Sequence, residues 1–256
     1  MWVSGDVDAE QMRDAISELF RRGGDQVYRG ALQLAQDARP RARTAGANIL
    51  AQIGYSDPAR YEPDRTETLI ALLGDREADV VAAAAAAIGH IPDGDRAISP
   101  LLSHVSNRDP QVRQGVAFGL ARIDDRRASD ALIELSRDAD REVRNWATFG
   151  LGSISTADYP AVRAALAERL NDEDAEISME AVAGLAERKD ARALTVLRAL
   201  LAGDVGEVTA GHLDACASLG DPSLLPGLLN LQECMAPNND AYWIRCLDEA
   251  IAACKG

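Results

Sequence analysis

An all-α fold, laid out as a serial array of antiparallel helical hairpins, is predicted by three observations: a recurring motif, its near-constant spacing, and an apolar content rich in helix formers. The motif is Asp109-Pro110-Gln111-Val112-Arg113, continued through Val116, Gly119, Leu120 and Ile123; Asp140, Val143, Arg144, Ala147, Gly150, Leu151 and Ile154 repeat it. With Val112 as a marker, the equivalent positions are Ala42, Val80, Val112, Val143, Ile177 and Val208, at offsets of 38, 32, 31, 34 and 31 residues. Such a period is that of a supersecondary unit that must stack on its neighbours to bury its apolar face. Hydrophobic residues are 47% of the chain and aromatics only 4%, and Ala and Leu, which dominate the apolar set, favour helix over strand.

Taken in order, residues 8–22 read as a first amphipathic helix with Asp8 as N-cap and Met12, Ala15, Ile16, Leu19 and Phe20 at helical spacing. Its partner spans about 25–38, and Pro40 punctuates before the first stripe of the repeating type. Eight residues after each marker stand Leu50, Ile88, Leu120, Leu151, Leu185 and Cys216; eleven after stand Ile53, Ile91, Ile123, Ile154, Arg188 and Leu219. Both offsets share one helix face at about 100° per residue. Seven after come Ile49, Ala87, Gly119, Gly150, Gly184 and Ala215, and a helical glycine, about 1 kcal/mol worse than alanine, implies close helix approach. Shorter first helices are expected at 66–74, 96–106, 129–137, 159–170, 191–202 and 223–233.

The final segment breaks the pattern at Pro237-Asn238-Asn239-Asp240, after which Tyr242, Trp243, Cys246, Leu247, Ala250, Ile251 and Cys254 form one more amphipathic stripe. An atypical terminal helix closes an otherwise open core, so Trp243 reads as part of a cap. The chain is therefore expected to be a single domain, with a capping helix in 1–24, repeats over 25–235 and a second capping helix in 236–256.

The Asp-Pro-x-Val-Arg turn-then-helix pattern and its near repeats resemble HEAT repeats, particularly the short bacterial type also called phycobilin-lyase HEAT-like, over roughly residues 25–235. The resemblance implies a right-handed α-α superhelix whose second helices line a concave surface. It also implies a structural ladder at Asp109, Arg113, Asp140 and Arg144, strongest in the middle of the array because Val81, Ser178 and Thr209 replace the arginine.

A formal charge of -14 and a pI near 4.6 oppose binding of a phosphate backbone, which requires clustered Lys and Arg. The four cysteines, Cys216, Cys234, Cys246 and Cys254, lie in the last segment without a C-x-x-C pair, so reduced, mostly buried thiols are expected. The first residues lack a basic and apolar leader, and no run of about 18 apolar residues occurs. A soluble cytoplasmic protein, monomeric and without membrane contact, is the expectation.

No constellation of reactive residues emerges. The HEAT-like deoxyhypusine hydroxylases carry paired His-Glu dipeptides, whereas His90, His104 and His212 are followed by Ile91, Val105 and Leu213. His90 is placed late in a second helix, and no two histidines have ligand spacing. The acidic run 172–176 precedes Ile177, where capping and dipole compensation account for it. No phosphate loop, G-x-S-x-G or Cys-His arrangement is present. No enzyme activity, metal or cofactor is therefore expected.

What stacking does not require is a set of side chains on the opposite face of the second helices, two, three and six residues after the markers. Phe118 and Phe149 occupy equivalent six-later positions in adjacent repeats; Gln114, Asn145 and Met179 are two later, and Trp146 and Glu180 three later. With Glu187 and Asp214 they compose a candidate partner-binding surface: Gln114, Phe118, Asn145, Trp146, Phe149, Met179, Glu180, Glu187 and Asp214. Aromatic residues and Met within a polar, acidic rim suit a protein-binding hot spot. The function this predicts is a non-enzymatic scaffold holding a basic peptide or protein in its groove. One form is an immunity or antitoxin-like protein sequestering a basic toxin. The alternative is a lyase or chaperone resembling phycobilin lyase subunits, which would carry a chromophore.

Overall fold

The computed structural model describes residues 24–53, 58–92, 94–203, 205–235 and 241–256, and every regular element among them is helical. They fall into two compact units, residues 1–150 and 151–256. The expected helix at 8–22 and the break at Pro237 to Asp240 lie outside the described residues.

In the first unit the hairpins are α1 (Asp25–Ala35) with α2 (Pro40–Gln52), α3 (Asp64–Leu72) with α4 (Ala78–Ile88), α5 (Ile98–Leu102) with α6 (Pro110–Ala121), and α7 (Arg126–Leu135) with α8 (Arg141–Phe149). The second helices α2, α4, α6 and α8 pack in series. The markers Ala42, Val80, Val112 and Val143 are fully buried, as are the eight-later Leu50, Ile88 and Leu120. The eleven-later Ile53, Ile91 and Ile123 are buried too, from the turns beyond each helix. A Cβ on Gly119 would meet the Ala85 carbonyl oxygen at 2.5 Å, and one on Gly115 the Ala82 carbonyl at 2.5 Å. The glycines thus let α6 lie directly on the α4 backbone, where any side chain would force the helices apart.

The second unit holds α9 (Pro160–Arg169) with α10 (Ala175–Glu187), α11 (Ala191–Ala202) with α12 (Ala210–Leu219), and α13 (Leu225–Met235) with α14 (Ala241–Lys255). Here α10, α12 and α14 pack in series. Gly152, in the π-helical turn Gly150–Ile154, lies against α10 so closely that a Cβ on Gly184 would fall 2.4 Å from Gly152 Cα, and one on Gly152 would fall 2.8 Å from the Glu180 carbonyl oxygen. Trp243 of α14 is 7% exposed and its indole N–H donates to the Val208 carbonyl at 3.0 Å, so it is core of the terminal hairpin.

Three expectations about local structure are corrected. The first helix of the third hairpin, expected over 96–106, is a 3₁₀ turn, Gly94–Ala97, followed by the five-residue α5. Val208 precedes its helix: Thr209 and His212 form a reciprocal capping box that starts α12 at Ala210, leaving the buried Val208 in the connection. The arginine ladder also connects residues other than those expected. Asp109, Asp140 and Asp174 are N-caps, accepting from backbone N–H groups two or three residues on.

The carboxylates that receive the arginines stand five residues before the next marker. Arg43 Nε and Nη2 contact Asp75 at 2.6 and 2.9 Å, and Arg113 Nε and Nη2 contact Asp138 at 2.7 and 2.8 Å. The third donor nitrogen of each arginine closes the carbonyls at its own turn, Asp37 and Ala38 for Arg43, Asn107 and Arg108 for Arg113. Where Val81 replaces the arginine, Asn107 replaces the carboxylate, and its amide pairs with His104 Nδ1 instead. Ser178 is likewise matched by Gly203. The first rung is at Arg43, so the ladder is not confined to the middle of the array.

Candidate functional site

In the first unit, four rings from three successive repeats touch in sequence. His90 follows α4, Phe118 is on α6, and Trp146 and Phe149 are on α8; the centroid separations are 4.8 Å, 5.0 Å and 5.8 Å along that order. Trp146 meets both phenylalanines edge-on at 83°, the geometry in which the positive ring edge meets a negative ring face. Phe118, Trp146 and Phe149 are all half-buried: neither sequestered between helices nor fully exposed. Gly89 makes the row possible, since a Cβ there would lie 2.7 Å from Phe118 Cδ1 and 2.8 Å from the Phe118 carbonyl oxygen.

His90 is the member that sequence reading missed. Helix α4 ends at Ile88, so His90 is in the turn, not within the helix. Its ring reaches Phe118 from there. The imidazole is tilted at 46° against Phe118; although the residue is exposed overall, desolvation of the ring on this side, with the charge of Arg122 second, lowers its pKa from the usual imidazole value. The signal was available: His90 and Arg122 both stand ten residues after their markers, an angular neighbour of the six-later row.

Gln114 and Asn145 precede Phe118 and Phe149 by four residues on α6 and α8, and both are half-buried. Among the described residues neither side chain makes a hydrogen bond within the protein. Their neighbours differ: Arg113 is fully occupied by the ladder, and Thr148 Oγ1 donates to the Arg144 carbonyl at 2.8 Å.

The other four candidate residues belong to the second unit, where they hold adjacent helices together. The Met179 thioether covers Gly211 of α12, where a Cβ would meet Cε at 2.8 Å. Glu180 is half-buried and accepts from Ser153 Oγ at 2.9 Å; burial, only partly offset by that bond, raises its pKa above the usual glutamate value. Glu187 accepts from Ser218 Oγ at 3.0 Å. Asp214 is exposed on α12, beside Cys246, whose thiol is pushed up by burial first and by this carboxylate second.

Charge is unevenly divided. Residues 151–256 carry 17 Asp and Glu against eight Lys and Arg, and residues 1–150 carry 24 against 19. Several of the second unit's cations are engaged by oxygens of the protein itself. Arg188 donates to the carbonyls of Leu151, Gly152, Ser155, Ala157 and Gly184. Lys189, in the left-handed region at φ 53, completes the end of α10 and caps α12 through the Ser218 and Leu219 carbonyls. Arg163 and Arg192 converge on Asp190. Among the described residues no group of three or more His, Cys, Asp or Glu is placed to hold a metal ion, and no helix is long and apolar enough to cross a membrane.

Serial hairpins with buried markers, backbone-close glycines and inter-repeat arginine rungs define a helical repeat protein. The family model for HEAT repeats matches residues 66–152 and 129–217, and the chain belongs to that family. It is similar to Protein YibA of Escherichia coli strain K12, at 32% identity over 212 residues, covering 81% of this chain and 74% of that protein. The X-ray structure of YibA aligns with a TM-score of 0.72 at 26% identity, over 96% of this chain and 88% of that one. The complex of CpcE and CpcF of phycocyanin lyase from Nostoc shares the fold alone, with a TM-score of 0.55 at 17% identity over 97% of this chain and 98% of that one.

Proposed function

We propose that this HEAT-repeat protein is a non-enzymatic scaffold that binds a protein or peptide, with the His90–Phe118–Trp146–Phe149 row as its principal contact. The observation that carries this reading is that three large rings in two successive repeats, Phe118, Trp146 and Phe149, touch one another and remain only partly buried although the stripe positions of the helices that carry them are fully buried. Aromatic side chains supply large contact area at low entropic cost, and contiguous exposed apolar patches are uncommon without a partner. The acidic surface of residues 151–256 favours a partner with basic stretches and speeds encounter with it, the form an immunity or antitoxin-like protein would use. Acidity likewise disfavours nucleic acid. Action as a monomer in the cytoplasm, without cofactor, completes the proposal.

The test is a pull-down with mass spectrometry, comparing the wild type with Phe118→Ala/Phe149→Ala. Removing two half-buried rings is expected to cost about 2–3 kcal/mol of stability, leaving the variant folded, and to abolish retention of the wild-type partner. A folded variant that retains the same partner in full refutes the reading. The likeness to the phycocyanin lyase subunits supports a second reading, a chromophore lyase or chaperone; visible absorbance of protein purified in the presence of bilin would favour it.

A further inference from the structure

We infer that the peptide group joining Val208 to Thr209 is a proton-gated clamp on the terminal hairpin: neutral His212 closes it, and protonation of His212 releases it. A trans peptide is planar, so its C=O and N–H point to opposite sides, and here each end is taken by a ring. The Val208 carbonyl accepts from the indole N–H of Trp243, on α14, at 3.0 Å, and the Thr209 N–H donates to His212 Nδ1, on α12, at 3.2 Å. Val208 and Trp243 are buried, whereas Thr209 is exposed and His212 half-buried, so solvent protons reach the imidazole end of the clamp while the indole end lies in the core.

A capping box ordinarily places Glu or Gln three residues after the cap, where an oxygen accepts from the cap's backbone N–H. In this helix the third residue is His212, and the box closes only while Nδ1 carries no proton. Once protonated, Nδ1 is a donor facing the Thr209 N–H, and a cation stands in the first turn of α12, where the helix dipole opposes it. The Thr209 hydroxyl, 2.9 Å away, can turn to accept from the charged ring, but the Thr209 N–H is left to water. Because the peptide group is rigid, its carbonyl turns away from the Trp243 indole as its N–H leaves the imidazole. The elements packed on α12 carry charges of their own: Glu180 on α10, whose neighbour Met179 covers Gly211, Arg198 on α11, Glu207 in the connection and Arg245 on α14, with Asp214 two residues along α12 itself. Among the described residues it is burial of the ring, and none of these charges, that holds the His212 pKa below the usual imidazole value. The box therefore contributes stability above the unfolded histidine pKa of about 6.5 and loses it as pH falls through the lower folded value.

The experiment follows the full chain by NMR from pH ~8 to ~4.5, across the histidine range. The His212 imidazole and Trp243 indole signals are assigned by their loss in His212→Gln and Trp243→Phe. Expected are a His212 midpoint below the ordinary histidine value and a Trp243 Nε1–H signal that moves with the same midpoint. Below that midpoint, indole hydrogen exchange should be about 10-fold faster in the wild type than in His212→Gln, from the usual worth of one hydrogen bond. Above it the two proteins should exchange alike, because glutamine preserves the box and cannot be charged. Coupling is reciprocal, so Trp243→Phe, which opens the indole end, should raise the proton affinity of His212 by about 3- to 10-fold. If the phenylalanine variant does not fold, the glutamine comparison decides alone. A Trp243 signal that ignores the His212 titration, an identical response in His212→Gln, or an unchanged His212 midpoint in folded Trp243→Phe overturns the inference, and none of these outcomes bears on the proposed protein-binding role.

Discussion

Replacing Arg188 with methionine keeps the aliphatic stem and removes a guanidinium that closes five backbone carbonyls. The contacts to Leu151, Ser155 and Gly184 are 2.8 Å, and those to Gly152 and Ala157 are 3.0–3.1 Å. Two opposing terms set the cost. A hydrogen bond to a charged group contributes about 1.5–3 kcal/mol, and bonds made by one group are not additive. Against this, burial penalises the charge and lowers its pKa from the usual arginine value. Water can rehydrate only the outer carbonyls, so a net loss of about 3 kcal/mol is expected, a fall in Tm of about 9 °C at roughly 3 °C per kcal/mol for a chain of this size. Thermal and urea unfolding of Arg188→Met would measure it. Arg188→Lys is the informative control, since a single ammonium cannot reach carbonyls spread over the turn and the following loop, and it should recover no more than half of the loss. A methionine variant within about 0.5 kcal/mol of wild type, or full recovery by lysine, would refute the argument.

Two further outcomes follow from the structure. Arg43 and Arg113 hold Asp75 and Asp138 below the usual carboxylate range, for Asp138 against a larger opposing effect of burial. The stability these rungs contribute is therefore present above the unfolded carboxyl pKa near ~3.9 and lost as pH falls through the lower folded values. With the Arg113 and Asp138 side chains only 11–16% exposed, Arg113→Met should cost about 1–2 kcal/mol at pH 7, and Arg43→Met/Arg113→Met should flatten the loss of stability below pH ~4 in urea titrations. In a native thiol assay Cys234, exposed on α13, should react first. Cys216, Cys246 and Cys254 should require denaturant, because all three are buried and burial pushes Cys216 up to about 12.

The repeat geometry was legible because it follows from two periodicities, one within the helix and one between hairpins. Markers at Ala42, Val80, Val112, Val143 and Ile177 are all fully buried where the period places them, and Gly119 and Gly184 meet a neighbouring backbone as a costly helical glycine implies. The period loses its hold where local capping competes, as at Thr209 and His212. Arg188 occupies an apolar stripe position, but its partners are carbonyls of an irregular turn that no side-chain pattern encodes. The ring cluster of the candidate site was legible in part. The angular argument selected Phe118, Trp146 and Phe149, which do touch, while His90 escaped because it acts from a turn. The same argument pooled Met179 and Glu187 with the rings, although these two serve packing and hydrogen bonding between helices of residues 151–256.

The paired losses along the arginine ladder bear on how such a chain can be altered. Val81 faces the repeat containing Asn107 and Ser178 the repeat containing Gly203, so these two missing rungs are each missing from both sides of a single junction. The sequence therefore behaves as a chain of matched joints more than as a string of interchangeable modules. A hairpin moved by one place would bring its own arginine against an asparagine, or leave a carboxylate facing valine. Deleting or duplicating material from one joint to the next joint of the same type keeps every charge answered, and that rule, more than the limits of any hairpin, marks where this array can be shortened or extended.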